Sequence, residues 1–206
     1  MQLRFPTGLS GEDYVKREVW REARLERCPR HPSGGCGFRR HGTYERQSPP
    51  GTQVPRWYCR KAHQTFSLLP DCLAARLPGT LMAVEAVVGT VEEAPSLEAA
   101  ADTLRPDIEL PGAIRWTRRR VRAVQAGLTA LRGLLPERWQ SVPATVTAFG
   151  EAVAVKPVLP TLRAITSPYL AFLPAPLGFR HRRVGGGDVT LAMQQAMGPD
   201  PPQDCG

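Results

Sequence analysis

Cys28, Cys36 and Cys59 fall within a 36-residue stretch that also contains His31, His41 and His63. Nothing else in the sequence constrains the fold as strongly. Thiolate and imidazole are the ligands zinc prefers, and a tetrahedral site needs two ligand pairs on tight turns with enough chain between them to bring the pairs together. The cysteine count is odd, at five, and the first eleven residues have no charged-then-apolar leader with a small-residue cleavage site. The expectation is therefore a reducing, cytoplasmic setting and a metal site rather than a disulfide framework.

Two pairs can be drawn. Cys59 and His63 are separated by three residues, and Gly34-Gly35 before Cys36 lets the backbone bend so that its thiolate faces Cys28. The expected ligand set is thus Cys28, Cys36, Cys59 and His63 around Zn2+. His31 is the rival for one position, because Cys28-x2-His31 has the more usual knuckle spacing. About 40 residues cannot build a sufficient apolar core, so bound metal would supply much of the folding free energy of this segment. A catalytic zinc would want an open position and a nearby acid, and Glu45 is the only acid between Cys28 and Asp71. The expected role of the metal is structural, and no enzyme activity is expected.

Glycine (19) and proline (21) make up about one in five of the 206 residues, which favours short elements broken by turns over one large α/β enzyme fold. The formal charge is +8, and all but three of the 27 cations are arginine. Arginine forks suit phosphate and guanine, so double-stranded DNA is the first partner to consider. The charge is unevenly placed: residues 1–70 carry 13 positive and 6 negative groups, 71–110 carry 2 and 8, and 111–140 carry 7 and 1. No stretch approaches 18 uninterrupted apolar residues, so no membrane partner is expected.

The chain divides into a helix within 1–26, a zinc-ribbon-like domain over 27–72, a helical region over 73–136, short helices over 137–184 and a loose tail over 185–206. The expected fold class is α+β, a small β zinc-ribbon followed by a mostly α-helical helix-turn-helix region. Ser10, ahead of Glu12 and Asp13, marks a helix start, with the helix running to about Glu26. β-favouring pieces at 37–46 and 54–59 suggest a hairpin. On it Arg39, Arg40, Arg46, Arg56, Arg60 and Lys61 are interleaved with His41, Tyr44, Trp57 and Tyr58, a mixture suited to phosphates and base faces.

Further along, helices are expected over 96–104, capped by Ser96, and from Pro111 to about Leu135. The second places Ile114, Val121, Val124, Leu128, Leu131 and Leu135 on one face and Arg115, Arg118, Arg119 and Arg122 on the other. Two helices joined by a turn, the second presenting arginines, follow helix-turn-helix logic, with a recognition helix lying in the major groove. Shorter helices are expected at about 143–155, 158–172 and 189–197. Arg180-His181-Arg182-Arg183 is either another phosphate contact or a solubilising patch.

The order Cys28-Pro29, His41-Gly42-Thr43-Tyr44-x-Arg46, Pro55-Arg56-Trp57-Tyr58-Cys59 and Thr65-Phe66-Ser67-Leu68-Leu69-Pro70 resembles the N-terminal zinc-ribbon of bacterial transposases and transposase-associated proteins. The resemblance covers residues 27–72 well and 80–125 loosely, and leaves out the C-terminal third. It implies a ribbon followed by a helix-turn-helix segment, with His31 where the family has its second cysteine and Ala62 where it has its fourth, so that Cys36 and His63 serve as shifted replacements. A transposase nuclease domain needs three carboxylates around two metals, and residues 141–206 offer only Glu151, Asp188, Asp200 and Asp204. The expectation is thus a zinc-dependent DNA-binding protein of a mobile element, or a regulator derived from one, without the cutting half. The alternative is a non-catalytic scaffold that binds a protein partner.

Overall fold

The computed structural model describes residues 1–180. The expected tail over 185–206, the helix at 189–197 and residues 181–183 of the basic patch lie outside them. The described chain is mixed α+β, with a four-stranded sheet near the N-terminus followed by helices.

The strands are β1 (Gln2–Phe5), β2 (Arg39–Arg46), β3 (Thr52–Cys59) and β4 (Gln64–Pro70), in the order β1-β4-β3-β2. The hairpin β2–β3 forms where β-branched and aromatic residues meet the turn residues Pro49-Pro50-Gly51. Pro55 has no N–H to give to the ladder. It sits opposite Thr43, where the register of β2 shifts between Arg40 and Thr43, and the β3–β4 ladder begins one residue later at Arg56. β1 has no counterpart in the sequence reading. It pairs parallel with β4, Gln2 opposite Ser67, and its four residues carry too little pattern to stand out before that partner is in place.

The N-terminal helix is shorter than expected. Ser10 caps it as read, accepting from the Asp13 N–H at 3.0 Å, but α1 spans only Gly11–Lys16 and the chain turns at Glu18 in a left-handed conformation (φ 49°) before a single 3-10 turn, Val19–Arg21. The cause is packing. Tyr14 and Trp20 are six residues apart, about 240° around a continuous helix, yet both are buried with ring centroids 5.6 Å apart. Only a broken helix puts both on the same side.

Beyond the sheet come α2 (Leu81–Glu93), α3 (Leu97–Leu104), α4 (Leu110–Leu134), α5 (Pro136–Trp139), α6 (Val146–Val153) and α7 (Val158–Ile165). Strand alternation sends Val54 and Leu69 toward the helices, where they join Leu81, Val84, Val88, Val124, Leu128, Leu131 and Leu162 in one core. Trp57, Cys59, Phe66 and Leu68 pack instead with residues of the first 38, in two smaller clusters. On α2, Glu85 and Glu92 stand two turns apart and each grips the start of another helix. Glu85 accepts from the Val158 and Leu159 N–H groups (2.9 and 2.7 Å) and Glu92 from those of Val146 and Thr147 (2.8 and 2.9 Å). A carboxylate there satisfies unpaired donors and complements the helix dipole.

The joint between sheet and helices is fastened by Arg163, which is 1% exposed. Its guanidinium donates to the carbonyls of Asp71 (3.0 Å), Leu73 (2.6 Å), Leu177 (2.9 Å) and Pro176. Burial lowers its pKa to about 10, which still leaves it charged at neutral pH. Replacing it by Leu takes the guanidinium from all four carbonyls; that of Pro176 still accepts from the Ala75 N–H at 3.0 Å, while those of Asp71, Leu73 and Leu177 lose the donor, and each unsatisfied buried group costs about 1–3 kcal/mol. The expected outcome for Arg163→Leu is a loss of several kcal/mol, seen as a fall of roughly 10 °C or more in thermal midpoint; a midpoint within two degrees of the wild type would show that the cage contributes little.

Candidate metal centre and basic surfaces

Cys28 and His31 sit on one tight turn: the His31 N–H donates to the Cys28 carbonyl at 3.1 Å and the Gly34 N–H to that of His31 at 3.0 Å. The chain then doubles back through Gly34, Gly35 and Gly37, all at positive φ (85°, 71° and 66°), a run that residues with a side chain would adopt only under strain. This return brings Cys36 inward. Cys59 ends β3 and starts a second turn, where the Ala62 N–H donates to its sulfur at 3.4 Å, and the Lys61 N–H reaches the Cys36 carbonyl at 3.3 Å, tying the two turns together.

The ligand atoms of Cys28, His31, Cys36 and Cys59 all lie within 4.8 Å of one another. His31 Nδ1 is 3.6 Å from Cys28 Sγ and 3.4 Å from Cys59 Sγ. With Zn–S near 2.3 Å and Zn–N near 2.0 Å, a tetrahedral ion spaces sulfur and nitrogen about 3.5 Å apart. The donor set and its spacing fit a structural zinc ion, and the group can hold one. The three cysteines are buried and pack with Phe66 and the partly buried Phe38.

His31, the rival, joins the three cysteines, and His63 does not. Successive strand residues face opposite ways, so Tyr58 and Cys59 point to different sides of β3. His63 belongs with Tyr58: it is exposed, at φ 47°, with Nδ1 3.3 Å from the Tyr58 hydroxyl. The expected set, with His63 in the fourth place, is thus corrected to His31, for which the x2 spacing from Cys28 is the signal in the sequence.

The cysteines differ in acidity. Burial works against the Cys28 thiolate, but hydrogen bonds from His31, from the backbone of Arg30 and His31 and from Cys59 outweigh it and lower the pKa to about 6. Burial raises that of Cys36, as do its hydrogen bonds to Cys59 and Cys28.

Of the six cations expected to project from the hairpin region, three are tied to backbone carbonyls, two of them half-buried. Arg40 donates to the carbonyls of Arg21 (3.1 Å) and Trp20 (2.6 Å), because the 3-10 turn leaves carbonyls that need donors. Arg46 donates to those of Ala74 (3.0 Å) and Leu77. Arg56 lies over the Tyr44 ring, 5.6 Å from its centroid, and reaches the Thr43 carbonyl at 3.4 Å. Arg39, Arg60 and Lys61 stay exposed, and so does Arg40, although its guanidinium is held by the two carbonyls.

On α4, Arg115, Arg118, Arg119 and Arg122 are all exposed. The opposite face buries Val124, Leu128 and Leu131 as read, whereas Ile114, Val121 and Leu135 are only half-buried. Over the first half of the helix the buried stripe is Ala113, Thr117 and Arg120 instead, because Ala100 and Ala101 of the neighbouring α3 are small enough to admit a close approach. Arg120 lies 3.6 Å from the centroid of the Trp116 ring, and Arg105 covers the same ring at 5.1 Å while holding Asp107 at 2.7 Å. The turn between α3 and α4 is pinned by these contacts. Ion pairs among the described residues are Arg4–Asp71, Arg21–Glu18 and Arg105–Asp107, and none involves the four exposed arginines of α4.

No family model, no curated protein and no solved structure matches this chain. Among the described residues no helix is long and apolar enough to cross a membrane.

Two outcomes test the metal centre. His31→Ala is expected to lose most bound zinc and His63→Ala to keep one zinc per chain, read by elemental analysis of purified protein; equal retention in both would remove His31 from the ligand set. Thiols must shed protons to bind metal, so zinc affinity is expected to fall as pH drops through about 6, where Cys28 protonates. Cys36, whose thiol burial pushes up, is expected to release its proton on zinc uptake at pH 7, so affinity already falls with pH there and falls more steeply below about 6. Calorimetry in buffers of different ionisation enthalpy counts those protons, and an affinity independent of pH between 5 and 8 would contradict the assignment.

Proposed function

We propose that this chain is a zinc-stabilised protein that binds double-stranded DNA, built on the plan that its ribbon-like segment shares with the DNA-binding halves of transposases. The observation that carries the reading is the arginine face of α4. Four guanidiniums at i, i+3, i+4 and i+7 stand in solvent, without carboxylate partners among the described residues, on a helix whose other face is anchored in the core. Such a row presents donors along one line, the arrangement that phosphates and guanine edges of a duplex accept.

In this reading α3 braces α4 through its buried alanines, and the pinned turn at 105–107 fixes the angle at which the arginines are offered. Zinc holds the 28–37 loop against the end of β3, and the protein contributes binding rather than bond cleavage. Arg40, Arg46 and Arg56 serve the fold, so the hairpin supplies fewer contacts than its composition suggests.

The test is titration of a fluorescent duplex at several salt concentrations. Each lost phosphate contact lowers the slope of log K against log salt by about 0.9, so Arg118→Ala/Arg119→Ala is expected to reduce it by about 1.8 and to weaken binding at low salt by an order of magnitude or more. Wild-type protein that binds with no salt dependence, or a double variant with an unchanged slope, would instead favour a protein-binding scaffold.

A further inference from the structure

A cleft of about 500 Å³ opens beside the metal centre, lined by Gly37, Phe38, Arg39, Tyr58, Arg60 and His63. Its size lies within the range of small-ligand sites. Two aromatic side chains, two exposed guanidiniums and an imidazole line it, and among the described residues no carboxylate does, so the chemistry selects a flat, anionic occupant. We propose that this cleft seats one unpaired nucleotide of single-stranded DNA, its base against Phe38 and Tyr58 and its phosphates against Arg39 and Arg60.

The cleft is built on rigid parts. Phe38 meets Phe66 edge-on, centroids 5.9 Å apart at 75°, and Phe66 is fully buried among the metal-binding cysteines. Tyr58 is steadied by the His41 ring at 5.6 Å and by the 3.3 Å contact of its hydroxyl with His63. Gly37 shapes the mouth through its backbone, at a φ of +66° that side chains rarely adopt. Rings held in place before binding lose little freedom on stacking, which suits a base platform. A duplex keeps its bases stacked inside and cannot insert one here without unpairing it, so this site and the α4 face address different forms of DNA.

This inference rests on the DNA-binding reading and is tested so that the two can fail separately. The probes are a labelled oligothymidylate of about 12 nucleotides and a duplex of about 30 base pairs, titrated with zinc-loaded full-length protein. A second oligonucleotide carrying 2-aminopurine reports stacking by quenching. Expected are measurable oligothymidylate binding, quenching of the aminopurine, and a loss of at least about fivefold for Tyr58→Leu on the single strand with less than about twofold on the duplex. Arg39→Ala/Arg60→Ala, at two exposed positions, is expected to weaken the single strand more than the duplex. It also keeps the test decisive should Tyr58→Leu lose its zinc. Duplex binding without oligothymidylate binding would overturn the nucleotide site and leave the proposed function standing. Parallel weakening on both polymers would also overturn it, by making the cleft part of a general positive field. Binding of neither polymer would remove both.

Discussion

The N-terminal half depends on the convergence of four side chains from two turns that lie far apart in sequence. Without a common centre, the three thiols and the imidazole have little reason to stay packed within 4.8 Å of one another. The 28–37 loop, whose backbone takes three left-handed glycines, would then have little apolar surface to hold it on the sheet. A metal ion held by these four groups would supply folding free energy of order 10 kcal/mol. Phe66 and Phe38 pack over the cysteines, and the cleft beside them inherits its rigidity.

The second constraint is the shortage of carboxylates in a chain so rich in arginine. Arginine is used here in two ways. Arg40, Arg46 and above all Arg163 satisfy backbone carbonyls that turns and helix ends leave unpaired, joining the sheet to the segments beyond it. Arg115, Arg118, Arg119 and Arg122 do nothing of the kind and remain in solvent. A guanidinium with five donors can serve either end, so composition alone does not separate the two groups. The carbonyls that the fold brings within reach of each one do.

Much was legible in the sequence where the signal was local. Ser10 and Ser96 cap the helices they precede, Pro111 lies in the first turn of α4, and the hairpin strands fall within a few residues of their expected limits. What failed to show was what depended on distant partners. β1 needed β4 beside it, α1 stopped early so that Trp20 could meet Tyr14, and the pairing of Glu85 and Glu92 with other helices spans more than 50 residues in each case. At the metal centre, spacing pointed to the cysteines and offered two histidines. Phe38 as a wall of the cleft had no sequence signal beyond lying between Cys36 and Arg39.

By itself, then, the sequence determined the helix starts, the hairpin, the clustering of soft ligands near residues 28–63 and the arginine face of α4, because each follows from spacing along the chain. Only the tertiary structure decided that His31 and not His63 lies with the cysteines, and which arginines of the hairpin are tied to backbone carbonyls. Strand alternation places Tyr58 and Cys59 on opposite sides of β3, and carbonyls exposed by chain reversals claim whichever guanidinium the fold brings within reach. Neither is encoded by any short stretch of residues.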